Sequence, residues 1–154
     1  MAKQRSSFFE EKRMFDPNFI RSKDCANDVK TNIRRIIKDV YFDMISDEDY
    51  VYFKNPIILS SCCMAAWENY INAQCIVNAF TYYLTNGLYH GISPFTNDLD
   101  VERTRATNTQ IKYNKQAYAW NNILMLLTDI QNGADAKLKL SIIRGMAKED
   151  ILSL

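Results

Sequence analysis

The side chains able to do chemistry in this chain are few and poorly placed for it: four cysteines, one histidine and eighteen carboxylates. Cys62 and Cys63 are adjacent, Cys75 follows on the same segment and Cys25 stands apart. Neighbours on a helix point about 100° apart, no Cys-x-x-Cys pair occurs and His90 is the only imidazole, so a closed zinc site is hard to build. A cysteine paired with His90 would need a third group to orient the ring and an oxyanion loop, and the sequence supplies neither. The cysteines therefore read as small buried apolar groups and His90 as a loop residue. The carboxylates cluster as Glu10-Glu11, Asp47 to Asp49 and Glu149-Asp150, in charged or terminal segments where little burial is available to raise a pKa. No phosphate-binding glycine loop, dinucleotide fingerprint, His-Glu-x-x-His, calcium loop or nucleophile elbow is present. The expectation is a protein that is not an enzyme, with no catalytic, cofactor-binding or metal-binding residue.

What the chain does offer is one unusual segment. Pro56 suits a first helical position after Asn55, Asn86-Gly87 suits a helix stop, and no Gly or Pro lies between. Between Lys54 and Asp98 the only formal charge is Glu68. A helix without a charged solvent face needs cover on several sides. At about 100° per residue its strong apolar row is Leu59, Cys63, Ala66, Tyr70, Ala73, Val77, Phe80 and Leu84. A second, weaker row carries Ile57, Met64, Ile71, Cys75 and Tyr82. Two rows call for two partners. The helix would be ~45 Å long, whereas a compact globule of this size is roughly 38 Å across. Either the molecule is elongated or the second row packs on another subunit.

Length and composition fit one folded domain: 154 residues, 47% hydrophobic and 24% charged. Net charge is +1 with cations and acids interspersed, which lacks the basic stripe of a dedicated nucleic-acid binder. Glu68, Asn69, Asn72, Gln74 and Asn78 make a lipid-facing span expensive, so no membrane partner is expected. Residues 1 to 11 lack the apolar core of a secretory signal, and free thiols in a reducing compartment are expected.

In chain order, residues 1–23 form an aromatic arm with four phenylalanines, Phe8, Phe9, Phe15 and Phe19; Ser6 or Ser7 could cap a short helix that Asp16-Pro17 ends. From Asp24 or Asp28 to Ile45 the spacing of Val29, Ile33, Ile36, Ile37, Val40 and Ile45 predicts an amphipathic helix, with Lys30, Arg34, Arg35, Lys38 and Asp39 outward. Ser46 to Phe53 favours a short helix over an extended segment. Leu88 to Asn97 is a loop. Asn97 or Asp98 opens a helix running to Gln131, with a break conceivable at Thr104 to Thr109; Tyr113, Ala117, Trp120, Ile123, Leu124, Leu127 and Ile130 form its apolar stripe. In the tail, Lys137 to Ile142 alternates as a strand does, while Asp135 could instead cap a short helix using Leu138, Ile142 and Met146.

The expected architecture is all-α: an elongated bundle on two long antiparallel helices, with an extended N-terminal arm (1–23), a helical core (24–133) and a C-terminal tail (134–154) that is strand or short helix. The interface candidates are Phe8, Phe9, Phe15 and Phe19 in the arm, Ile57, Met64 and Ile71 on the second row, and Leu138, Leu140 and Ile142 in the tail. This plan resembles the small helical adaptor or ring subunits that join portal to tail in tailed phages, including crAss-like phages. The likeness is one of organisation: the arm Phe8 to Ile20, the long helices Pro56 to Asn86 and Asp98 to Gln131, and the strand-like tail Leu138 to Ile142. It implies a virion protein in a cyclic, twelve-fold homo-oligomeric ring. Portal and tail proteins would be its neighbours, with DNA passing only as cargo and no catalysis. The alternative is a small intracellular helical enzyme, or a phage-encoded regulator or inhibitor, using the His90 loop.

Overall fold

The Asn55 side chain accepts hydrogen bonds from the backbone N–H groups of Ile57 and Ile58, at 2.9 and 3.3 Å, and Pro56 needs no such acceptor. From this cap runs α5 (Pro56–Tyr82), which widens into a π turn over Tyr83–Gly87. Its partner α6 (Leu99–Gln131) passes through Thr104 to Thr109 without a break. Gly133, at φ 102°, ends it: its N–H donates to the Ile130 carbonyl and that of Ala134 to the Asp129 carbonyl, both at 3.0 Å. The computed structural model describes residues 6–12, 14, 16–87 and 99–154, and among these every regular element is helical. Phe15, the His90 loop and the Asn97-Asp98 start of α6 lie outside the described residues.

The two long helices lie side by side in a definite register. Leu59 and Ile130 line one cavity, and Tyr70 and Ala117 another. Further along, Gln110 Nε2 donates to Thr81 Oγ1 at 2.6 Å and the Tyr83 hydroxyl to Glu102 at 3.1 Å. Trp120, Ile123 and Leu127 of α6 join Ile58, Leu59, Cys62 and Ala66 of α5 in the core. The other wall comes from α3 (Lys23–Thr31) and α4 (Ile33–Tyr41), through Val29, Ile33, Ile36, Ile37 and Val40. A single helix is the expectation for this stretch, but two are present. Asn32 Nδ2 donates to the Asp28 carbonyl at 2.9 Å, and Asn32 takes φ −106°, ψ 19°, which breaks the run.

A 3-10 helix, Asp47–Lys54, capped by Ser46, carries Tyr50 and Phe53 into the same core. Beyond Ala66 and Trp120 the character of the α5–α6 pair changes. Among the described residues its outer part buries only small side chains: Ala73 and Val77 of α5, with Ala106, Ala117 and Ala119 of α6. From Ala66 to Tyr82 the helix rises by ~24 Å, past the large-residue core.

The described parts of both terminal segments pack onto this core. Helix α1 (Phe8–Glu11) is capped by Ser7, whose hydroxyl accepts from Glu10 N, and Asp16 caps α2 (Pro17–Ile20) by accepting from Asn18 N. Phe8 and Phe9 are buried, at 0% and 2% exposure, with Phe9 edge-on to Phe53 at 5.2 Å between ring centres. That corrects the extended-arm expectation for these two residues, because their rings complete their own chain's core. Phe19 is half-buried against it. The tail is helical: Asp135 accepts from Leu138 N at 2.8 Å and starts α7 (Ala136–Ser141), followed by a 3-10 turn Ile142–Gly145 and α8 (Lys148–Leu152). A strand would have buried Leu138, Leu140 and Ile142 together. The helix instead buries Ala136, Leu140 and Ile143 and turns Leu138 and Ile142 outward, at 68% and 53% exposure.

Candidate functional site

Among the described residues no group of three or more His, Cys, Asp or Glu gathers around a point that could hold a metal ion. Cys25 and Cys62 are buried in the core, and desolvation pushes both thiols upward from their ordinary pKa. Cys63 is half-buried and is pushed up to about 11 by the same cause. Cys75 is exposed, which corrects the expectation that all four thiols are interior. A cavity of about 600 Å³ lies between Pro56, Leu59, Ile130 and Asp135. Its carboxylate is already committed to capping α7, so no convergent set of reactive groups lines it.

The feature that stands out is the far side of α5. Met64 is 48% exposed, Trp67 52% and Tyr82 69%; Cys75 and Asn78 are exposed and Ile57 and Ile71 half-buried. These positions recur at three and four residues and form one stripe along the whole helix, opposite the row that meets α6. The second apolar row expected from the sequence is therefore present, and exposed or half-exposed among the described residues. Trp67 extends it. Glu68 at its margin is the only charge.

Helix α6 carries a matching row. Ile111, Tyr118 and Met125 are 47%, 68% and 58% exposed and stand seven residues apart, with Tyr118 lining the open groove that Tyr70 and Gln74 of α5 also border. The apolar stripe expected for this helix, Tyr113 to Ile130, does not include them. The strict spacing of seven was the available signal. An exposed large apolar side chain is ordinary by itself, but two aligned stripes on one helix pair are not.

A polar cluster, also missed in the sequence, holds the N-terminal segment. Asp39 is 1% exposed rather than outward, and its Oδ2 accepts the Phe8 backbone N–H at 2.8 Å. Arg35, one turn earlier on α4, donates to the Ser6 carbonyl at 3.0 Å and pairs with Glu11 at 2.6 Å. The alternation of charge and Ile along α4 conceals this, since the segment that covers Asp39 is distant in sequence. Of the expected interface residues, then, Ile57, Met64 and Ile71 share one exposed or half-exposed stripe. Phe8, Phe9 and Leu140 are core, Phe19 is at the core margin, and Leu138 and Ile142 are exposed on the tail.

Among the described residues no helix is long and apolar enough to cross a membrane. Comparison of the chain with protein-family models, with curated proteins and with solved structures finds no match in any of the three.

Proposed function

We propose that this protein is a structural subunit that works inside a homo-oligomeric assembly and carries no catalytic site or cofactor. The observation that carries the reading is the uncovered stripe of α5, from Ile57 to Tyr82, which bears a single formal charge along seven turns of helix. Leaving Met64, Trp67 and Tyr82 in water forgoes ~1.5 to 3 kcal/mol for each apolar side chain that a partner could bury. On this reading α5 and α6 run antiparallel and project from the globular part as a stiff, elongated element whose purpose is contact.

Portal–tail connector rings of tailed phages are the proposed class, with a twelve-fold ring, portal and tail proteins as neighbours, DNA as passing cargo and the virion as location. The arms no longer support this, because Phe8, Phe9 and Leu140 are spent on the chain's own core. The long helices do. Solution scattering and electron microscopy of the purified chain test it: closed rings, or an elongated particle that associates as concentration rises, are expected. A particle that stays compact and monomeric at every concentration would defeat the proposal.

A further inference from the structure

We propose that the open face of the α5–α6 pair is covered by the same face of a second copy of this chain, in a two-fold pair whose axis runs along the groove between the helices. The inference rests on the homo-oligomeric reading above and names its contact; a larger ring would need a further contact outside this face. The starting observation is the groove lined by Tyr70 and Gln74 of α5 and by Ala117, Tyr118 and Asn121 of α6. Trp67 and Ile71 stand seven and three residues before Gln74, and Asn78 four after it, on one side of α5. Ile111 and Met125 stand seven residues either side of Tyr118. Both exposed rows therefore border one face, one row on each side of the groove.

The other flank of α5, with Ile58, Cys62 and Ala65, is the one that α3 and α4 cover. Past Ala66 and Trp120 the pair buries only small side chains between its own helices, so a second layer supplies the cover it lacks. Two copies face to face make a four-helix bundle. Register selects the axis. Leu59 is level with Ile130, Tyr70 with Ala117 and Thr81 with Gln110. Interpolating at ~1.5 Å per residue puts Met64 level with Met125, Ile71 with Tyr118 and Asn78 with Ile111. A two-fold axis parallel to the helices preserves level and exchanges left for right. It lays α5 of each copy on α6 of the other, with each row meeting the other row, and one isologous contact covers both.

Charge and area agree with this. Glu68, the only formal charge of α5, is set against Lys115 on the rim of α6 in the other copy, ~9 Å away along the axis. A two-fold axis at right angles to the helices, through the level of Ile71, would instead set Glu68 against Glu68 and Lys115 against Lys115 at the same spacing. Gln74, Asn114 and Asn121 near the groove give amide partners to their counterparts across the axis. A bilayer surface would call for flanking cations, and α5 has no Lys or Arg. Two helices side by side present a face ~20 Å wide, and Met64 to Tyr82 spans ~27 Å, so the pair would bury on the order of 1,100 Å² in total, enough for a specific interface.

The test uses two populations of the full chain in a Cys75→Ser background, one carrying Asn78→Cys and the other Ile111→Cys, mixed and treated with a short bismaleimide. Covalent dimers joining unlike variants should form in large excess over either like-with-like product. A chain carrying both substitutions should link into dimers and no further, because both links close on one partner. In the wild-type background, Tyr118→Lys should weaken self-association by about 10-fold or more while leaving the helical circular dichroism unchanged. A dominant Asn78→Cys homodimer, or a ladder of products longer than the dimer from the doubly substituted chain, would overturn this two-fold pair and leave the subunit reading standing. Absence of unlike products from a chain that is oligomeric by mass would do the same. A chain that is monomeric by mass would defeat the subunit reading itself.

Discussion

Cys63 and Cys75 lie on one helix yet differ in what they can do. Cys75 is exposed, whereas burial holds Cys25 and Cys62 as thiols and pushes Cys63 up to about 11. At pH 8 a thiol with that pKa is ~100-fold poorer in thiolate than one at its ordinary value. In the native chain one thiol, Cys75, should react rapidly with Ellman's reagent, and the other three only on unfolding; rapid reaction of two or more would contradict the core. The sign of the pH effect follows. The unfolded Cys63 thiol ionises near its ordinary pKa while the folded one holds its proton, so stability is full below about pH 9 and falls as pH rises toward 11. Asp39 is the other decisive residue. Removing its carboxylate takes the acceptor from the Phe8 N–H and an opposite charge from beside Arg35. Asp39→Ala should cost about 3 kcal/mol, or roughly 10 °C in melting temperature. Urea titration checks this, and a loss indistinguishable from zero would mean the segment is not held by Asp39.

Helix ends were legible where the deciding groups are local. Asn55-Pro56, Ser7, Asp135 and Asn132-Gly133 each name a cap or stop that needs only its immediate neighbours, and each is observed. Burial was less legible because it depends on what folds over the element. Ile58, Cys62 and Ala65 are as buried as the expected row of α5, since α3 and α4 cover a second flank that periodicity alone does not reveal. The alternation Lys137 to Ile142 suits a strand and a short helix alike, and Asp135 decides between them by capping. The N-terminal segment is the clearest case. Phe8 and Phe9 signal burial correctly, but their partner is Phe53 and the core of their own chain. Phe9→Ala should therefore cost about 3 to 5 kcal/mol in chemical denaturation. A cost below about 1 kcal/mol would restore the segment as a free arm.

At the scale of the whole molecule, a core of large side chains at one end carries a helix pair whose outer part buries mainly alanines. The same pair presents two exposed rows, one on each helix. Those rows are the physical content of the structural-subunit proposal, and the candidate site was legible to this extent: Ile57, Met64 and Ile71 were marked as needing a partner, while Trp67, Tyr118 and Met125 were not. The most direct measurement is sedimentation velocity of the wild type and of an Ile71→Lys, Tyr118→Lys double variant, over the same concentration series. The wild type should gain mass with concentration toward a discrete closed species. The double variant should stay monomeric with unchanged helicity. A wild type that remains monomeric throughout, or a folded double variant that associates as the wild type does, would contradict it.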